Sequence, residues 1–337
     1  MYLKMKLNKD ELKSALEVVK PGLASKEIIE QSTSFAFMDG RVVTYNDEIS
    51  ISHPVEGLSI EGAVKAEELY KLLSKLKKDE IEMELTESEV ILSSGRMRAG
   101  LVLMKEIKLP LEELGDMDGK WKKLPENFVE GLKFAIGSCS SDMSQAILTC
   151  VHITNDFMEA SDSFRISIYF VKLPVKDVLL PAPSAKHLLG FTPTHILEGT
   201  SWVHFKNAAG TILSCRIFED KFPNTAHIVN VEGESIQFPR TLTEILDRAV
   251  VFSKRDHFTD ETITVVLGEK RIVISGSSDY GWFEESANIK YTGRAIEFKI
   301  TPDLLSGILN QSSDCVLSKD RIMFTGENWK YVAMLRV

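Results

Sequence analysis

At 337 residues the chain is too long for one ordinary domain and comfortable for two or three. Its 44% apolar and 26% charged residues place it among folded chains and exclude intrinsic disorder. A net charge of -9 argues against nonspecific nucleic-acid binding by the surface as a whole, so where the lysines lie matters more than how many there are. No apolar run approaches the roughly 20 residues that span a bilayer, and "MYLKMKLNKDELK" lacks the apolar core of a signal peptide, so a cytoplasmic protein is expected. Cys139, Cys150, Cys215 and Cys315 are far apart with no CxxC pair, as buried reduced thiols would be.

The first helix is predicted at Leu7–Gly22, "LNKDELKSALEVVKPG", with Asn8 as cap and Leu12, Ala15, Leu16 and Val19 on one face. Short β-type runs follow in "SFAFMDGRVVTYNDEISISHPV", turning at Asp39-Gly40 and Asn46-Asp47. The second helix, Lys65–Glu80 or "KAEELYKLLSKLKKDE", buries Leu69, Leu72, Leu73 and Leu76 and leaves Lys71, Lys75 and Lys78 as a basic face. Its strands are "IEMELTESEVILSSGRMRAGLVLM". The third helix lies in "LPENFVEGLKFAIGSC", Leu124–Cys139, before "CVHITNDFMEASDSFRISIYFV". The fourth is "LPAPSAKHLLGF", before "SWVHFKNAAGTILSCRIF". The fifth is "FPRTLTEILDRAVVFS", Phe238–Ser253, before "ITVVLGEKRIVISGSSDYGWFEESANI". The sixth, "ITPDLLSGIL", carries no basic residue and precedes "CVLSKDRIMFTGENWKYVAMLRV".

These segments start at Leu7, Val64, Leu124, Leu180, Phe238 and Ile300, at intervals of 57, 60, 56, 58 and 62 residues. Self-similarity at a nearly fixed period makes each unit a strand, a helix and a meander of about three strands. Two units make an α+β domain with sheets outside and both helices on one side. Gly and acidic residues interrupt the pattern at "LPLEELGDMDGKWKK" and "VNVEGES", which places linkers there and gives domains at 1–117, 118–231 and 232–337.

The sequence offers little for catalysis. "GRMRAGLV" has the spacing of a P-loop but continues Leu101-Val102 where Lys-Ser/Thr is needed. The glycines of "GSSDYG", Gly276–Gly281, fall at a strand turn without the helix that a dinucleotide site requires. The seven histidines are scattered with no HExxH or HxH, so neither a metal nor another cofactor is expected. In "SDSFR" no base is close in sequence, and Asp162 and Arg165 read as a structural ion pair across a turn.

Three tandem domains of this kind resemble the bacterial sliding clamp, the β subunit of DNA polymerase III. The resemblance runs the length of the chain and is carried locally by "MKLNKDELKSAL", "EASDSFRISIY", "EDKFPNTAHIV" and "YVAMLRV". Where the family has Gly-His, this sequence has Ser163-Phe164; where it has Asp-Tyr, Asn224-Thr225; and a proline near the end is missing, as in a divergent or phage-encoded clamp. The resemblance implies a non-enzymatic processivity factor: a head-to-tail homodimer whose helices line a ring around duplex DNA, tethering the polymerase and binding a clamp loader. A clamp-fold scaffold or inhibitor that no longer encircles DNA is the alternative.

For the DNA face the resemblance implies Lys71, Lys75 and Lys78, and with less force Lys9, Lys13, Lys20, Lys26, Lys133, Lys186, Arg240 and Arg248. Acidic residues gather instead in meanders such as "DEIEMELTESE" and "DHFTDE", which fits an acidic exterior. A partner-peptide cleft is implied at Leu148, Ser161, Phe164, Arg165, Ile166, Pro223, His227, Ile228, Met334 and Leu335. Ring closure is expected to join Arg96–Leu103, with Arg96, Leu101 and Leu103, to Val251 and Phe252 of the second copy.

Overall fold

A computed structural model describes residues 3–255 and 261–336; most of the "DHFTDE" stretch lies outside the described residues. Six α-helices occur among them: α1 (Lys9–Val19), α2 (Ala66–Lys75), α3 (Phe128–Ile136), α4 (Ala182–Phe191), α5 (Leu242–Ser253) and α6 (Pro302–Leu309). Each follows one short strand and precedes three, so the strand-helix-meander unit recurs six times in order, as the spacing predicts. The Asn8 side chain accepts hydrogen bonds from the backbone N–H groups of Asp10 (2.8 Å) and Glu11 (3.1 Å), which caps α1 as expected.

The helices are amphipathic for the reason the sequence gives. Leu12, Leu16 and Val19 of α1, Leu69 and Leu73 of α2, and Leu242, Ile245, Leu246 and Ala249 of α5 are all buried against their sheets. Each large side chain contributes roughly 1.5–3 kcal/mol by leaving water. α2 is shorter than the Lys65–Glu80 expectation. It stops at Lys75, where Leu76 turns extended and its N–H reaches the Leu73 carbonyl at 3.2 Å. Leu72 and Leu76 are accordingly only half-buried.

The strands form four sheets in which neighbouring repeats exchange their first strands. Leu3–Asn8, which leads the first repeat, pairs with Glu80–Leu85 of the second, while Gly62–Lys65, which leads the second, pairs with Ser34–Met38 of the first. Lys122–Lys123 pairs with His195–Glu198 and Asp177–Pro181 with Cys150–Thr154 in the same crossed manner. So do Glu234–Gln237 with Asp314–Leu317 and Ile296–Ile300 with Ile263–Gly268. The last strands of repeats then join meanders into wider sheets. Ile49–Pro54 pairs with Ile212–Arg216, and Arg165–Phe170 pairs with Trp329–Met334, giving two eight-stranded sheets. The last strands of the other two repeats, Met97–Val102 and Gly281–Asn288, are the edges of the two four-stranded sheets.

By compactness the chain divides into two units. One comprises residues up to Val129 with Pro183–Glu219; the other comprises Glu130–Ala182 with the chain from Asp220 onward. The division follows sheet continuity: each eight-stranded sheet belongs to one unit. The 109–123 stretch is less open than a linker. Leu109 and Leu114 are buried with Tyr45 and Trp202, whose rings lie 5.8 Å apart. Cys150, Cys215 and Cys315 are buried free thiols, raised above the ordinary thiol range by desolvation, and Cys139 is half-buried.

Candidate nucleic-acid and partner interfaces

The basic residues divide by environment. Lys20, Lys26, Lys75, Lys133, Lys186 and Arg240 are exposed. Lys20 lies 4.5 Å and Lys13 5.8 Å from the Tyr70 ring centroid, so two lysines of the α1 region gather on an aromatic of α2. Tyr70, whose hydroxyl donates to Glu17 at 2.7 Å, went unnoticed in the sequence because its partners lie 50 residues and more away. Lys13 also pairs with Glu17 at 3.4 Å, and Lys71 with Glu67 one turn earlier.

Three assignments change. Lys9 is 9% exposed, and its ammonium donates to the Leu76 carbonyl at 3.3 Å beside Asp10 at 3.1 Å, so it staples α1 to the end of α2 instead of facing solvent. Lys78 lies beyond the end of α2, with its side chain over Gly95, and does not continue the helix face. Arg248 makes two 2.8 Å bonds to Glu285, a bidentate pair that leaves little charge for another anion.

The ten cleft residues all belong to the second compact unit, but strand alternation sorts them. Ile166 and Ile168 share one sheet face with Val332, and Ile228, Val229, Val316 and Met323 pack on this apolar patch. Ile168, Val332 and Met323 were missed in the sequence, where their alternation reads as ordinary strand core. Arg165 points to the other, helix-covered face with Ser167, Tyr169 and Tyr331. Leu335, expected to be a cleft anchor, is buried in the core beside α5 and α6. Met334 is half-buried, and its N–H donates to the Phe164 carbonyl at 2.8 Å, joining the chain end to the "SDSFR" turn. Phe164, Pro223 and His227 are exposed, and Leu148 and Ser161 are half-buried.

The turn itself is built as expected. Arg165 Nε lies 2.9 Å from Asp162 Oδ2, while Asp162 Oδ1 accepts the N–H groups of Phe164 and Arg165 at 3.0 Å each. Ser163, at the position that is glycine in the family pattern, is held at φ 74°. Ser161 Oγ donates to the Arg165 carbonyl at 2.8 Å.

At the sheet edges, Arg96 is exposed in the turn leading to Met97–Val102, and Leu101 is half-buried. Leu103 is buried against Gly62, a core position and not a surface one. Val251 is 67% exposed, and Phe252 stacks on Phe283 of the Gly281–Asn288 edge with ring centroids 6.3 Å apart. Among the described residues no cluster of three or more His, Cys, Asp or Glu could hold a metal.

No protein-family model matches the sequence, and no curated protein matches it. Solved structures do match. The DNA polymerase sliding clamp of Bacillus subtilis superposes with a TM-score of 0.83 at 16% identity, covering 100% of both chains. The DNA polymerase III β chain of Streptococcus pneumoniae gives 0.84 at 18% identity, again over 100% of both chains. The polymerase β subunit of Streptococcus pyogenes gives 0.83 at 19% identity, covering 99% of this chain and 100% of that one. From end to end, this chain has the fold of the DNA polymerase sliding clamps.

Proposed function

We propose that the protein is a sliding clamp, a processivity factor that closes as a head-to-tail homodimer around duplex DNA and tethers a polymerase without catalysing any step. The observation that carries this is the full-length match of all six repeats to sliding clamps at TM-scores of 0.83–0.84. Each pair of repeats exchanges its first strands, which favours the pair as the domain and supports boundaries at 1–117, 118–231 and 232–337.

Two of the six last strands of repeats remain at sheet edges, whereas the other four join sheets to one another. Pairing Met97–Val102 of one copy with Gly281–Asn288 of the other satisfies both edges at once. An antiparallel register that sets Arg98 opposite Glu284 also sets Gly100 opposite Trp282 and Ala99 opposite Phe283, so large side chains meet small ones and opposite charges meet. Val251 and Phe252 then flank the seam, and Leu101 adds apolar area.

Exposed lysines of α1–α4 line the DNA face in this reading and supply phosphate attraction without sequence readout. A short linear peptide from the polymerase or the clamp loader occupies the patch around Ile166, Val332, Ile228 and Met334, with Phe164 at its rim. No helix among the described residues is long and apolar enough to cross a membrane, in keeping with work in the cytoplasm.

The deciding experiment is the mass in solution together with retention on circular and linear DNA. A dimer that stays on closed circles and slides off linear duplex is the expected result. A protein held equally by both, or by neither, returns the reading to a scaffold that no longer encircles DNA.

A further inference from the structure

Within the second compact unit a chain of charged groups lies under the irregular 220–230 segment. His152, on Cys150–Thr154, has Nδ1 2.8 Å from Glu159 Oε1 and Nε2 3.0 Å from Asp177 Oδ1. Glu159 is 3% exposed, and its second oxygen accepts the Thr225 hydroxyl at 2.6 Å. The Phe222 ring stacks on the imidazole, with centroids 5.0 Å apart and planes at 22°. Thr225 and Phe222 both belong to the 220–230 segment, which also carries Pro223, His227 and Ile228.

The protonation state follows from the geometry. A neutral imidazole has one N–H and one lone pair, so one of these contacts would set a lone pair against a carboxylate. Only the imidazolium donates to both. It is also the counterion for Glu159, whose buried carboxylate would otherwise be uncompensated. The charged groups facing the ring are Glu159 and Asp177 from its neighbouring strands; Phe222, which stacks on it, and Thr225, which binds Glu159, carry no charge.

We propose that the His152 imidazolium, held between Glu159 and Asp177, is a proton-dependent positioning group that fixes the 220–230 segment and, on the partner-cleft reading above, the shape of the cleft. Deprotonation removes the donor to one carboxylate, weakens the stack with Phe222 and leaves Glu159 a buried charge, so the hold of Thr225 and Phe222 loosens. Burial pulls the His152 pKa down, but the hydrogen bonds and charges of Glu159 and Asp177 outweigh it and raise the pKa above 6.5. A raised folded-state value means that the stabilisation is complete below the unfolded pKa and is lost as the pH climbs through the folded one.

The test is amide hydrogen exchange of residues 220–230 at about pH 6 and about pH 8.5, corrected for intrinsic exchange, in wild type, His152→Gln and Thr225→Val. Wild-type protection should fall several-fold at the higher pH. His152→Gln should give low protection with little pH dependence, and thermal melts check that both variants remain folded. Equal wild-type protection at both pH values, or an unchanged pH dependence in His152→Gln, overturns the proposal. A labelled heptapeptide selected on wild-type protein by display gives the second arm. Its affinity should fall with rising pH in wild type and stay flat in His152→Gln. A peptide indifferent to pH while exchange responds would detach the latch from the cleft; a peptide that binds away from Phe164 and Met334 would fail the cleft reading while the exchange result still judges the latch.

Discussion

The first pair of helices and the last pair share a scaffold but not a surface. α1 and α5 bury the same kind of stripe, Leu12, Leu16 and Val19 in one and Leu242, Leu246 and Ala249 in the other, each against its own sheets. Their outer faces differ. The first pair gathers Lys13 and Lys20 at the Tyr70 ring and carries Lys71 and Lys75 on α2, whereas α5 commits Arg248 to Glu285 and α6 carries no basic residue. Packing fixes which positions are apolar, because a close-packed core tolerates little change of volume. It leaves exposed positions free to carry whatever charge function requires, so in the proposed ring the two regions contribute equally to the fold and unequally to holding DNA.

The comparison breaks most visibly in the core. Leu16→Ala in α1 and Leu246→Ala in α5 remove side chains with no exposed surface, and each should cost about 2–5 kcal/mol in denaturant unfolding. A loss well under 1 kcal/mol at one site alone would show that the two helices are not equivalent supports.

The next effect is on DNA. Replacing the exposed Lys20 and Lys75 with Glu should weaken retention and lower the slope of log K against log salt by about 2, since each phosphate contact contributes about 0.9. Arg240→Gln with Arg248→Gln should change the slope by roughly 1 or less, because Arg248 is already paired. Equal slopes for the two variants would erase the distinction between the regions.

A smaller effect is expected at the partner patch. Met334→Ala and Phe164→Ala should each weaken a bound peptide by about 1–2 kcal/mol in a fluorescence titration without shifting the melting temperature. Point substitution is the appropriate test, because deleting the chain end would remove the buried Leu335 and the paired bridge between Lys299 and Arg336 along with any binding residue. Least of all, Lys9→Met should leave the salt slope of DNA binding unchanged, since that ammonium is turned onto the Leu76 carbonyl.

Sequence alone determined what is local. Helical periodicity marked α1 to α6, the Asn8 cap marked where α1 begins, period and turn chemistry counted the six repeats, and the spacing of Asp162 and Arg165 gave their ion pair. Each of these depends on residues within a few positions of one another, where the chain's own geometry dictates who can meet. Tertiary structure decided everything that depends on which distant segments pair. Alternation identifies a strand but not its partner, so the exchange of first strands and the Gly281–Asn288 edge were invisible beforehand, and the Arg96–Leu103 edge was expected only from the family resemblance. Lys78 shares residue type and apparent helix phase with Lys75, and only the early end of α2 at Lys75 separates them, while Lys9 is turned onto the distant Leu76 carbonyl. Arg165 and Leu335 fall on the helix-covered sheet face instead of the apolar patch because a strand sends successive side chains to opposite sides. His152, Glu159, Asp177 and Thr225 form one hydrogen-bonded cluster drawn from three strands and a loop, and nothing in their spacing says so, because the hydrogen bonds that join them form only once the sheet has brought those strands together.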